Sequence, residues 1–74
     1  MRSWKPAAIV NPRAGRGRAT GIWRRARARL EARFGRIEVR QTVRPGHASE
    51  LARELRGAGH DLLFVAGGDG TLNE

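Results

Sequence analysis

The chain predicts an α/β fold: a three-layer βαβαβ unit around a short parallel sheet in the order 2-1-3. Two observations carry that prediction. Short apolar runs end at residues 10, 43 and 66, and each is bounded by proline or glycine. The two intervals between them carry apolar residues at steps of three and four, the spacing of a helix with one buried face. Strands joined by helical crossovers run parallel, and such crossovers are right-handed.

The first strand is "AAIV", residues 7–10, and it ends at Asn11-Pro12. Proline has no N–H to donate and biases the residue before it away from helix. "RAGRGRATG" follows and reads as a loop, with three glycines among small and basic residues. From residue 19 to 34, Ala19, Ile22, Trp23, Ala26, Leu30 and Phe34 form one stripe, so Trp23 and Phe34 are expected in the core. Arg24 and Arg25 fall opposite, while Arg27, Arg29 and Arg33 flank the stripe. Gly35 stops the helix.

"RIEVRQTV", residues 36–43, alternates and predicts a strand with Ile37, Val39, Gln41 and Val43 on one side. Pro45-Gly46 marks a turn, with Pro45 suited to a first helical turn. The next helix presents Ala48, Leu51, Ala52 and Leu55 on one face, has Glu50 near its positive end, and is terminated by Gly57 and Gly59. His47 is expected exposed near the helix start, and His60 lies in the following connection. "DLLFVA", residues 61–66, is continuously apolar, the pattern of a central parallel strand covered on both faces.

Composition narrows the function classes. A chain of 74 residues forms one small domain, which buries only about 60% of the surface its unfolded form exposes. With no cysteine there is no disulfide and no thiolate metal site. No apolar stretch approaches the roughly 20 residues of a membrane span, and the N-terminal run is too short for a signal-peptide core. A cytoplasmic protein is the expectation. The net charge is +8, from 15 Lys+Arg against 7 Asp+Glu. Such a surplus attracts nucleotide phosphate, nucleic acid or an anionic membrane.

In an open α/β sheet, ligands bind beyond the carboxyl ends of the strands. Three segments meet there: "NPRAGRGRA", Thr42 with "VRPG", and "GGDGT". Gly67 and Gly68 let backbone amides approach a ligand closely. If a helix opens at Gly70-Thr71, its N-terminus favours an anion. Asp69 fits such a site if it meets Mg²⁺ on a nucleotide or takes a proton from an attacking hydroxyl; as a plain turn residue it would cap the helix. Neither glycine loop fits the dinucleotide or P-loop spacing. No His and carboxylate set has metal-site spacing.

"AAIVNPRAGRGRA" followed by "DLLFVAGGDGTLNE", with "QTVRPGHASELAREL" between, resembles the N-terminal end of the diacylglycerol kinase catalytic domain family, over essentially the whole chain. The GGDGT core by itself is shared with NAD kinases. Leu72-Asn73-Glu74 and the Asn11-Pro12 loop point to the lipid kinases. The resemblance implies an incomplete Rossmann-like nucleotide-binding domain using ATP and Mg²⁺ to phosphorylate a lipid hydroxyl of the diacylglycerol type. It implies nucleotide contacts at Asn11, Pro12, Arg13, Ala14, Gly15, Thr42, Gly67, Gly68, Asp69, Gly70, Thr71, Leu72, Asn73 and Glu74. Asp69 would stand near the metal and phosphates, and Arg13, Arg16 and Arg18 would neutralise phosphate charge or meet a membrane. It further implies that residues 1–74 are an N-terminal fragment of the ATP-binding domain, inactive by itself, without the β-rich lipid-binding domain. The expected location is peripheral at the inner membrane face. Uncovered apolar surface would favour self-association. The alternatives are an NAD kinase-like enzyme, and a non-catalytic basic module binding nucleic acid or anionic membrane. That module would lack interleaved aromatics for base stacking.

Overall fold

The computed structural model describes residues 3–67. The elements run β1 (Pro6–Val10), a 3₁₀ turn (Ala14–Gly17), α1 (Arg18–Phe34), β2 (Glu38–Gln41), α2 (His47–Gly57) and β3 (Leu62–Ala66). The three strands form one parallel sheet in the order β2-β1-β3, as expected. Pro6 opens β1 opposite Leu62, at a strand start where a missing donor is tolerated.

β1 is the central strand, and all five of its residues are buried. Successive side chains point to opposite faces. Ala7 and Ile9 pack with Leu51, Ala52 and Leu55 of α2. Ala8 and Val10 pack with Trp23 of α1 and with Ile37. The alanines of β1 let both helices lie close to the sheet. Trp23 is a core residue, as its spacing suggested. Phe34 is half-buried against Phe64, with ring centroids 5.6 Å apart, and meets Trp4 edge-on at 6.3 Å.

Several expectations are corrected. β3, expected to be covered on both faces, is only half-buried throughout, at the edge of the described sheet where the order 2-1-3 puts it. Its apolar run reflects two apolar faces, but a strand flanked on one side alone leaves those faces partly open. β2 is shorter than residues 36–43. Thr42 N–H still bonds the Val10 carbonyl at 2.9 Å, but Val43 N–H turns away to His47 Nδ1 at 3.0 Å, and Val43 is 73% exposed. The first loop is shorter too, because Arg18 to Gly21 already belong to α1. Ile22, assigned to the buried stripe, is 54% exposed beside the open edge. Pro45 stands outside α2, which is preceded instead by left-handed Gly46 at φ 79°.

Candidate functional site

The strand register builds the site. Val10 is opposite Gln41 on one side and Ala66 on the other, so the residues that follow, Asn11, Thr42 and Gly67, leave the sheet at one level. Two backbone bonds hold that level: Asn11 N–H to the Ala66 carbonyl at 2.8 Å, and Thr42 N–H to the Val10 carbonyl. The carboxyl edge is therefore tied across all three strands.

Asn11 then turns the chain. Its side-chain Oδ1 accepts from Arg13 N–H at 3.1 Å, and its carbonyl accepts from Ala14 N–H at 3.1 Å. This is an Asx turn, the local bond that suits asparagine to such positions. Gly15, Arg16 and Gly17 follow with φ of 59°, 58° and 89°. Three successive left-handed residues are costly for side-chain-bearing positions, which explains the flanking glycines. The turn delivers the chain into α1, whose first turn holds no acidic residue and has no side-chain cap. The positive end of the α1 dipole therefore faces the edge uncompensated by any protein carboxylate of that turn. α2 differs: Glu50 stands in its first turn, paired with Arg44.

Two cavities open at this edge. One of about 270 Å³ is lined by Asn11, Arg13, Thr42, Val43, Arg44 and Pro45, which brings the first and second predicted segments together. The other, about 480 Å³ and largely apolar, includes Gly15, Ile22, Trp23, Leu30, Phe64 and Gly67 in its lining. Of the expected site residues, Asn11, Pro12, Arg13, Ala14, Gly15, Thr42 and Gly67 are thus at one edge. Gly68, Asp69, Gly70, Thr71, Leu72, Asn73 and Glu74 lie outside the described residues. Among the described residues, no cluster of three His, Asp or Glu is placed to hold a metal ion.

Four side chains that support this edge, or brace the fold beneath it, have no repeating signal in the sequence. His47 is half-buried, not exposed, and its Nδ1 accepts the Val43 N–H, which requires the tautomer protonated at Nε2. Glu31 Oε2 accepts the Ile37 N–H at 3.0 Å, linking the end of α1 to the start of β2. That bond, with the nearby Arg27 guanidinium 3.4 Å away, holds the Glu31 carboxyl below its ordinary value. Lys5, the single lysine, donates from Nζ to the Ala58 carbonyl at 2.6 Å just past α2. At the same end, Asp61 Oδ1 accepts the Lys5 N–H at 2.9 Å, so this polar knot aligns β1 with β3.

Residues 5–74 match the diacylglycerol kinase catalytic domain. The chain belongs to that family. Among curated relatives of this kinase family, it is 40% identical over 67 residues to "Sphingoid long chain base kinase 5" of Saccharomyces cerevisiae, covering 89% of this chain and 10% of the yeast protein. It is 37% identical over 71 residues to "Putative lipid kinase YtlR" of Bacillus subtilis, covering 89% of this chain and 22% of that one. With "Probable lipid kinase YegS-like" of Pseudomonas fluorescens it shares 43% identity over 51 residues, 65% of this chain and 17% of the relative. The chain therefore spans between a tenth and about a fifth of the length of these lipid kinases. No solved structure matches it.

Proposed function

We propose that these residues form the nucleotide-binding portion of an ATP-dependent lipid kinase that transfers the γ-phosphoryl group to a lipid hydroxyl, diacylglycerol first among the candidate acceptors. The observation that carries this reading is the shared level of Asn11, Thr42 and Gly67, with the uncompensated start of α1 beside them. In the reaction, the acceptor oxygen forms a bond to the γ-phosphorus, the bond to the β-phosphate oxygen breaks, and the hydroxyl proton passes to a base. Such transfer needs mainly positioning and charge neutralisation.

On this reading, the Asn11–Gly15 turn and Thr42 hold one side of the nucleotide, and Gly67 to Glu74 the other. Arg13 supplies positive charge from the smaller cavity, and the α1 dipole supplies it from the loop. Asp69 is the carboxylate assigned to a magnesium ion on the phosphates, which would neutralise charge as the leaving group departs. The lipid site and general base are assigned to a β-rich domain within the relatives' greater length. The enzyme is placed in the cytoplasm, peripheral at the inner membrane face. Among the described residues no helix is long and apolar enough to cross a membrane.

The test incubates the full-length polypeptide with labelled ATP, Mg²⁺ and, in separate reactions, diacylglycerol, a sphingoid base and NAD. Labelled phosphatidate supports the proposal as stated. Label in the sphingoid base alone keeps a lipid kinase but replaces the acceptor, and label in NAD alone overturns the lipid reading. Asp69→Asn should abolish transfer while leaving the circular dichroism spectrum unchanged; unaltered turnover would remove Asp69 from the mechanism.

A further inference from the structure

The positive charge of this chain is concentrated in one stretch. Nine of the fifteen basic residues and only one of the seven acidic ones lie between residues 13 and 36, a surplus of eight that equals the net charge of the whole chain. Elsewhere six cations and six anions cancel. The stretch comprises the loop after β1 and all of α1.

Within α1, Arg18, Ile22, Arg25 and Arg29 follow one another at steps of four, three and four along one flank, Arg24 lies about 100° round the helix from Arg25, and all five are exposed. Among the described residues, Arg24, Arg25 and Arg29 make no ion pair, whereas Arg27 is paired with Glu31 and Arg33 lies over the Phe34 ring. Beside Arg25 and Arg29 runs a groove of about 410 Å³, lined by Ile22, Arg25, Ala26, Arg29 and Leu30. Its floor is apolar and its rim carries two guanidinium groups. That combination suits an amphipathic anion better than a bare polyanion, because a nucleic acid backbone offers nothing to the apolar floor.

We infer that the exposed face of α1 that runs from Arg24 through Arg25 to Arg29, with Ile22 as an apolar contact at its rim beside Arg29, is a docking surface for an anionic lipid bilayer. The inference rests on the lipid kinase reading in one respect: it explains how the site meets an acceptor that resides in a membrane. α1 returns antiparallel to the strands, so its Arg18 end is at the carboxyl edge of the sheet. From Arg18 to Arg29 the helix extends about 16 Å. A helix lying along the bilayer would hold that edge at the lipid headgroups.

The test measures co-sedimentation of the full chain with phosphatidylcholine vesicles, with and without phosphatidylglycerol, in the absence of nucleotide and acceptor. Anionic vesicles should bind and neutral ones should not, and added salt should release the protein. The Arg24→Gln/Arg25→Gln/Arg29→Gln variant should bind more weakly by roughly fivefold per charge, on the order of a hundredfold for all three. The corresponding triple lysine variant should bind like the wild type. Wild-type binding by the glutamine variant, equal binding to neutral vesicles, or tighter binding to duplex DNA at the same salt would each overturn the proposal. Turnover with a water-soluble short-chain acceptor reads the kinase reaction separately. The glutamine variant should keep that turnover, and absence of turnover in the wild type would refute the kinase reading without touching the vesicle result.

Discussion

Replacing Gly17 by alanine should destabilise the chain, whereas the same replacement four residues later, at Gly21, should stabilise it. Gly17 has φ 89° and ψ 0°, in the left-handed region directly before α1. A Cβ at Gly17 would come within 3.9 Å of the Pro12 carbonyl oxygen, an ordinary contact, so no clash adds to the cost. The effect is then the backbone strain alone, about 1–2 kcal/mol for an L-residue held in that conformation. Gly21 lies inside α1 and a Cβ there would meet nothing within 4 Å. Alanine at that position should add about 0.5–1 kcal/mol through helix propensity. A domain of this size holds about 4–11 kcal/mol in total, so both shifts are measurable. Urea denaturation followed by tryptophan fluorescence gives the free energies. Thermal unfolding should move by about 4–8 °C per kcal/mol, downwards for Gly17→Ala and upwards for Gly21→Ala. A neutral or stabilising Gly17→Ala would show that the left-handed turn does not form in solution, and the geometric argument for the loop beside α1 would fall with it.

Asn11→Ala removes the acceptor for Arg13 N–H, a bond worth about 0.5–1.5 kcal/mol. It should weaken ATP binding by several-fold, read by fluorescent nucleotide titration, and lower the melting temperature by roughly 2–12 °C. Leu55→Ala deletes one of the largest fully buried side chains and should cost about 2–5 kcal/mol by equilibrium unfolding, a large share of the total. Glu31→Gln should weaken the α1–β2 link in a pH-dependent way. The carboxyl is held below its ordinary value of 4.5 by the Ile37 N–H and Arg27, so its ionised form is favoured on folding. Its contribution is fully present above the unfolded value and is lost as pH falls through the lower folded one. The stability difference between wild type and Glu31→Gln should therefore be constant near neutrality and shrink below about pH 4.5, read by urea titration across that range.

The order of elements was legible in the sequence because each depends on neighbours along the chain. Ala48, Leu51, Ala52 and Leu55 share a face by helical repeat alone, and that face is the one that meets β1. Trp23 was legible for the same reason. The parallel sheet follows from crossover length, and the convergence of Asn11, Thr42 and Gly67 follows from the parallel sheet. The arginine surplus of α1 is also plain from composition.

Only the tertiary structure decided what depends on a partner distant in the chain. Val43 continued an alternating pattern, yet its N–H was claimed by His47 and the strand stopped at Gln41. Ile22 fitted the helical stripe, but lies on the flank beside the open β3 edge, where the described sheet has no further strand to bury it. Glu31, His47 and Lys5 serve as single acceptors or donors across a turn or between elements, and one hydrogen bond leaves no periodic trace in a sequence. Hydrophobic burial repeats along an element and can be read from spacing. A lone polar contact between elements is set by where two backbones meet, and that is known only once they have met.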